Sequence, residues 1–253
     1  MSAAVRIHVA TLDTAAATEL CIRTIHRFAG MPFDLVVGDG GSTDGSLQRF
    51  RRLERAGWLH LEVAPDGRRH AEWLNLWTQV CPARYAVFVD SDMQFLRPNW
   101  LVDLVAEAER THAAMVTSRI QRLEGDAHTD RSGKPMRWAP RPTPWLIFVD
   151  LEQIRGTVET GFGFRFRDDP EHPGSRIAYD TGAAFFEELQ ARGLAWSAMP
   201  DAWSDCYRHY GGMTWVRNEP MSRARRVKLL GKGLRIRANL VRARLTSRRP
   251  HRG

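Results

Sequence analysis

This sequence predicts an α/β fold with a mostly parallel sheet flanked by helices, and three observations predict it. Short apolar runs alternate with stretches of helical period through the first 120 residues, glycines and prolines separate them, and two of the apolar runs stop at acidic residues. Val5 to Ala10 (VRIHVA) is a first strand, and Thr14 to Ala29 is a helix that offers Leu20, Ile22, Ile25 and Phe28 to a core. Pro32 resets the chain before a second strand, Phe33 to Val37, which runs into GDGGSTDGS. Ser46 to Ala56 is a helix stopped by Gly57, Trp58 to Val63 a third strand, and Ala71 to Val80 a helical stretch. Tyr85 to Val89 is apolar throughout and reads as a buried strand. Pro98 opens a helix carrying Trp100, Leu101, Leu104 and Val105, and Ala114 to Thr117 is a further short strand. In such right-handed β-α-β arrangements ligands bind beyond the carboxyl ends of the strands.

Beyond residue 120 the rhythm breaks. Gly125 to Pro144 holds four prolines and many polar groups and is expected to be a mobile loop; apolar order returns at Trp145 to Leu151. The segment from Gly161 to Arg176 is expected to be irregular, ahead of a helix from about Thr181 to Arg192.

Bulk properties narrow the classes. A chain of 253 residues with 43% hydrophobic and 26% charged side chains fits one sizeable domain. It has no run of about 18 uncharged apolar residues, and MSAAVRIHVATLD has neither a charged leader nor a cleavable apolar segment, so a cytoplasmic location is expected. Cys21, Cys81 and Cys206 form no CxxC pair and read as small core residues. Of the 37 Lys and Arg, 12 lie in residues 221–253, which contain no Asp or Glu; the first 220 residues keep 25 against 29 acids and are slightly acidic. The net charge of +8 is therefore a property of the tail, and nucleic acid is not an expected partner of the body. The division predicted is a folded body over residues 1–220 and a basic amphipathic helical extension over 221–253. From Val227 that extension places Leu230, Leu234, Ala238, Val241 and Leu245 on one stripe among cations, with Leu229, Ile236 and Leu240 off it. Such a helix binds an anionic membrane surface, packs on the body or pairs with another subunit, and Gly231 and Gly233 weaken its start.

Two loops carry the chemistry. LVVGDGGSTDGS has glycines at 38, 40, 41 and 45 around Asp39 and Asp44, so its backbone can turn sharply against a ligand. The alternative is a plain strand-to-helix turn capped by Ser42, Thr43 or Asp44. Asp90 and Asp92, two apart at the end of a strand, face the same side and can share a divalent cation, or else cap the following helix and face solvent.

The strand and loop FDLVVGDGGSTDGS, followed about 50 residues later by YAVFVDSDMQF, resemble family 2 glycosyltransferases of the GT-A fold, over roughly residues 5 to 120. The resemblance implies that Thr11, Asp13 and Asp39 line a nucleoside pocket, that Asp90 contacts ribose or bridges through water, and that Asp92 ligates the cation. Gly40 stands where an Asp or Asn is more usual, which bears on loop geometry. HYGG at residues 209–212 resembles the family's late H-x-G-G loop and implies His209 as a further metal ligand; the other reading is a structural histidine. Asp180 stands before a helix where the family has an acidic pair, with Tyr179 in place of the first acid. It is the candidate base for the acceptor hydroxyl, or an N-cap, and Asp168 and Asp169 are held in reserve. Arg68 and Arg69, just beyond the third strand, support a diphosphate or belong to the solvated surface.

The expected activity is metal-dependent transfer of a sugar, of the hexosyltransferase type, from a nucleotide-diphosphate donor to an acceptor hydroxyl with inversion. Mn²⁺ or Mg²⁺ suits the donor set, and UDP is the default nucleotide. The acceptor is a glycan, a lipid-linked precursor or a small molecule. Two alternatives are an inert nucleotide-sugar or membrane-surface binding module, and a nucleotidyltransferase. The latter needs a Gly-rich basic loop after the first strand, which ATLDTAAATEL does not supply.

Overall fold

A computed structural model describes residues 3–122, 128–130, 132–213 and 222–246. The chain runs through β1 (Val5–Thr11), α1 (Ala15–Phe28), β2 (Asp34–Asp39), α2 (Ser46–Arg55), β3 (His60–Val63), α3 (His70–Val80), β4 (Tyr85–Asp90) and β5 (Met93–Phe95). It continues through α4 (Trp100–Thr111), β6 (Met115–Thr117), β7 (Ile120–Gln121), β8 (His128–Thr129), β9 (Pro135–Trp138), β10 (Arg141–Pro142), β11 (Leu146–Asp150) and α5 (Leu151–Ile154). The last elements are β12 (Arg165–Asp168), β13 (Arg176–Tyr179), α6 (Ala183–Ala191), β14 (Trp196–Ala198), a 3₁₀ turn (Asp201–Cys206), β15 (Tyr207–His209) and α7 (Arg223–Thr246).

Seven strands form the main sheet in the order β14-β6-β11-β4-β1-β2-β3. All neighbours pair in parallel except β11, which runs antiparallel to both β4 and β6. The two faces bury separate cores. Val5, Ile7, Val9, Val87 and Val89 meet α1 and α4 on one side, while Val36, Ala86 and Phe88 meet Trp73, Trp77 and Phe185 on the other. Burial on both faces is why these strands read as continuous apolar runs instead of alternating ones. Gly38 makes the second packing close enough: a Cβ there would stand 2.6 to 2.9 Å from the Trp77 and Trp73 rings. Register then aligns the strand ends, with Thr11 opposite Asp39 and Ala10 opposite Asp90.

Two expectations are corrected here. Gly125 to Pro144 was expected to be a loop, and residues 125–127 and 131 of it lie outside the described residues, yet the rest builds β8, β9 and β10. β9 pairs with β13, which pairs with β12 from the supposedly irregular segment, giving a second sheet of order β12-β13-β9-β8. These strands are two to four residues long, and the β9–β13 pairing that joins the two hairpins spans 40 positions, so local composition hides the sheet. In the tail, the structure shows one of the three readings, packing on the body. α7 runs unbroken through Gly231 and Gly233, and it lies on α1 through Ile236, Leu240 and Ala243, which are buried against Ala17, Leu20 and Tyr210. Arg244 clasps the buried Glu19 with Nε at 2.8 Å and Nη2 at 2.5 Å. The stripe read from the sequence faces away from the body.

Candidate functional site

Asp90 closes β4, and the chain turns through Ser91 and Asp92 into β5. β5 pairs antiparallel with β15, opposing Met93 to His209, and Tyr210 N donates to Asp92 O at 3.1 Å. This pairing brings a residue 117 positions downstream of Asp92 against both carboxylates. His209 Nε2 stands 3.0 Å from Asp92 Oδ1 and 3.5 Å from Asp90 Oδ2. Trp145 stacks on the imidazole with centroids 4.6 Å apart, and positive φ at Gly211 and Gly212 turns the chain immediately afterwards. On the other side of Asp90, His70 Nε2 from the start of α3 lies 3.2 Å from Oδ1.

These groups set one another's charge. Burial alone would pull the His209 imidazole down, but its contacts with Asp90 and Asp92 carry it up to about 9. Burial likewise opposes a charged His70, and Asp90 overrides it, leaving that imidazole above its ordinary value. The Asp90 carboxyl is pushed up by burial and held well below the usual carboxylate range by the two histidines.

One cavity of about 410 Å³ gathers most of the predicted residues: Thr11, Arg68, Arg69, Asp90, Asp92, Asp180 and His209 all line it. Arg68 lies over the Trp73 ring at 4.4 Å, and Arg69 opens α3, its N–H donating to Glu72 Oε2 at 2.8 Å. The Thr11 hydroxyl is 2.9 Å from those of Thr14 and Thr18 in a buried cluster.

Asp13 and Asp39, expected to line the same pocket as Thr11, are not among this cavity's lining residues; they hold the loop between β2 and α2. Asp39 is fully buried; its Oδ1 accepts from Gly41 N and Ser42 N at 3.0 and 2.8 Å, and its Oδ2 has no partner among the described residues. Asp13, at φ 53°, accepts from Thr43 N and Asp44 N at 2.7 and 3.1 Å, while its own N–H donates to Ser42 Oγ. The unusual Gly40 has a local cause: a Cβ there would lie 2.6 Å from the Arg68 carbonyl oxygen, so the loop and the start of α3 close on each other only with glycine.

Asp180 lines the cavity but does not cap a helix. α6 begins at Ala183 with Gly182 as its N-cap at φ 83°, two residues later than the cap reading requires. The Asp180 carboxylate instead accepts from Thr181 N at 2.7 Å and pairs with Arg141 Nη1 at 2.5 Å. Asp168 and Asp169 are not among the cavity's lining residues. Asp169 is held by Arg137 Nε at 2.6 Å and Asp168 is exposed on the small sheet. Sequence reasoning missed His70 and Arg141. His70 directly follows the nominated arginines, whereas nothing local marks Arg141.

The donor set fits a hard divalent cation. One atom from each of Asp90, Asp92 and His209 lies within 4.8 Å of the others. Adjacent ligands of an octahedral ion at about 2.1 Å stand about 3 Å apart, close to the His209–Asp92 separation.

The sequence profile described as "Glycosyl transferase family 2" matches residues 7–172, and the chain belongs to that family. A comparison with curated protein sequences finds no match. Among solved structures the chain is similar to the mannosyltransferase PcManGT from Pyrobaculum calidifontis, in complex with GDP-Man and Mn²⁺. Identity is 18% over 96% of this chain and 74% of the other, with a TM-score of 0.55. It is also similar to glucosyl-3-phosphoglycerate synthase from Mycobacterium tuberculosis, in complex with Mn²⁺, UDP and glucosyl-3-phosphoglycerate. There identity is 15%, coverage 94% and 79%, and the TM-score 0.48. The architecture is that of a GT-A glycosyltransferase.

Proposed function

We propose that this chain transfers a sugar from a nucleoside diphosphate sugar to an acceptor hydroxyl, with inversion at the anomeric carbon. The observation that carries the reading is the meeting of Asp90, Asp92 and His209 with Arg68, Arg69 and Asp180 around one cavity at the strand ends. Mn²⁺ or Mg²⁺, held by Asp92 and His209 beside Asp90, would supply charge neutralisation for the departing diphosphate. Arg68 and Arg69 add guanidinium contacts to the same phosphates. Thr11 O accepts from Gly40 N, Asp39 from Gly41 N and Ser42 N, and Asp13 from Thr43 N, so these three residues shape the loop that would face the nucleoside. Asp180 takes the proton of the attacking hydroxyl, and Arg141 fixes the direction in which its carboxylate points.

Thermal unfolding across UDP, GDP, CDP, dTDP and ADP, each with Mn²⁺ or chelator, tests the donor site in wild type and Asp92→Ala. A nucleotide at about 100 times its dissociation constant adds roughly 2.7 kcal/mol to stability. The expected result is a shift with one nucleotide, UDP being the first to try, that needs both metal and Asp92. No shift with any nucleotide would overturn the proposal.

A further inference from the structure

α7 has two apolar faces, and the body uses one. Ile236, Leu240 and Ala243 are buried against α1, whereas Val227, Leu230, Leu234, Val241 and Leu245, spaced three, four or seven apart on one helical stripe, are between 55% and 83% exposed. Cations border the outward stripe on both sides: Lys228, Arg235 and Arg242 recur every seventh residue along one edge, and Arg226, Arg237 and Arg244 follow the other. The second edge continues onto the body. Arg23 of α1 and Arg49 and Arg52 of α2 share a cavity with Arg244, and Glu19 is the one carboxylate in its lining. Arg23, Arg49 and Arg244 all reach that single carboxylate, at 2.8, 3.6 and 2.5 Å, so the patch keeps an excess of positive charge.

We propose that this face docks on an anionic lipid bilayer. α7 lies in the plane of the interface, its outward stripe enters the boundary of the acyl chains, and the two cationic edges meet headgroup phosphates. Spanning is not the mode, because no described helix is long and apolar enough to cross a membrane. A second copy of this chain is a poor occupant, since facing stripes would set arginine edges against arginine edges with no acid in residues 221–253 to relieve them. The docking helix is fastened to the site loop: Lys232 Nζ donates to Gly211 O at 2.7 Å, and Asn239 Nδ2 donates to Tyr210 OH at 3.0 Å and Gln94 Oε1 at 3.1 Å. Membrane contact therefore orients the loop that carries His209. The inference stands on α7 and its neighbours and does not depend on the proposed sugar transfer.

Sedimentation of the full chain with vesicles of phosphatidylcholine alone, or of phosphatidylcholine with phosphatidylglycerol, tests it. Binding is expected only with phosphatidylglycerol and is expected to weaken as salt is raised. The exposed leucines touch no core, so Leu230→Glu and Leu234→Glu should leave the melting curve intact while each lowers vesicle binding by roughly tenfold or more. Arg235→Glu and Arg242→Glu should each lower it about fivefold or more, through lost attraction to the anionic surface. Equal binding to both vesicles, binding to neither, or unchanged binding by the leucine variants would overturn the proposal. So would concentration-dependent dimerisation, or capture by duplex DNA, that the leucine variants abolish while vesicle binding persists.

Discussion

Metal binding at Asp92 and His209 should release a proton, and the size of the effect follows from the site. A metal needs the neutral imidazole, yet the two carboxylates hold His209 protonated up to about pH 9. At pH 7 that is about 2 pH units, or roughly 2.7 kcal/mol taken from the affinity. Apparent Mn²⁺ affinity should accordingly strengthen about tenfold per pH unit, or about a hundredfold between pH 6 and pH 8. Isothermal titration in two buffers of different ionisation enthalpy counts the protons directly. The expected count is near one per ion for wild type, and His209→Gln should bind more weakly with a flatter pH dependence. The metal-free protein supplies the complementary check. His209 has a folded value raised above its ordinary 6.5, so its stabilisation is complete below about pH 6.5 and is lost as pH rises through about 9. Chelator-treated protein should thus lose stability towards pH 9 while Mn²⁺-loaded protein does not. Flat affinity from pH 6 to 8, with no proton released, would refute His209 as a ligand.

Three further outcomes are expected. Asp180→Asn should lower kcat by a factor of about 10² or more with donor KM and Mn²⁺ affinity unchanged, and a loss of donor binding instead would assign Asp180 to the donor side. Gly40→Asn, which restores the more usual family residue, should destabilise by roughly 1 to 3 kcal/mol in a denaturant titration, because the Arg68 carbonyl 2.6 Å from the new Cβ is backbone; an unchanged midpoint would refute that account of the glycine. His8 is buried between Trp77 and Phe88 with neither ring nitrogen partnered among the described residues, and burial followed by nearby Arg6 pulls it down to about 3. Its folded value is depressed, so its contribution is present above pH 6.5 and is lost as pH falls towards 3, by roughly 2 kcal/mol at pH 5. His8→Leu should flatten this acid limb in thermal melts, and an unchanged limb would place the acid sensitivity elsewhere.

The parallel half of the fold was legible because strands buried on both faces advertise themselves as unbroken apolar runs, as YAVFV does before Asp90. Asp39, Asp90 and Asp92 were legible for the same reason, since each lies within three residues of the end of such a run and so at or just beyond a strand end. The small sheet was not, since Met136 and Trp138 gain strand geometry only by pairing with Arg176 and Ala178. Periodicity in α7 showed that the helix has apolar faces but not which one the body would take. The more hydrophobic stripe stayed outside, and α1 took the face with Ile236, Leu240 and Ala243.

His70 and Arg141 show a different limit, since each matters through the charge of a neighbour and not through any pattern of its own. Asp90 lies between two imidazoles, with His70 on Oδ1 and His209 on Oδ2, and Asp92 shares the second. Residues that look like three separate motifs in the sequence are therefore one electrostatic unit. Truncating Asp90 would remove a contact that favours the charged form of both histidines and would ease deprotonation of His209, even as it took away a neighbouring oxygen donor. His70→Gln isolates that coupling, because it leaves Asp90, Asp92 and His209 in place and removes only the second imidazole on Asp90. Titration of the His209 ring by NMR in metal-free His70→Gln should give a higher value than in wild type, since Asp90 then serves one imidazole instead of two. An unchanged value would mean that His70 and His209 do not communicate through Asp90.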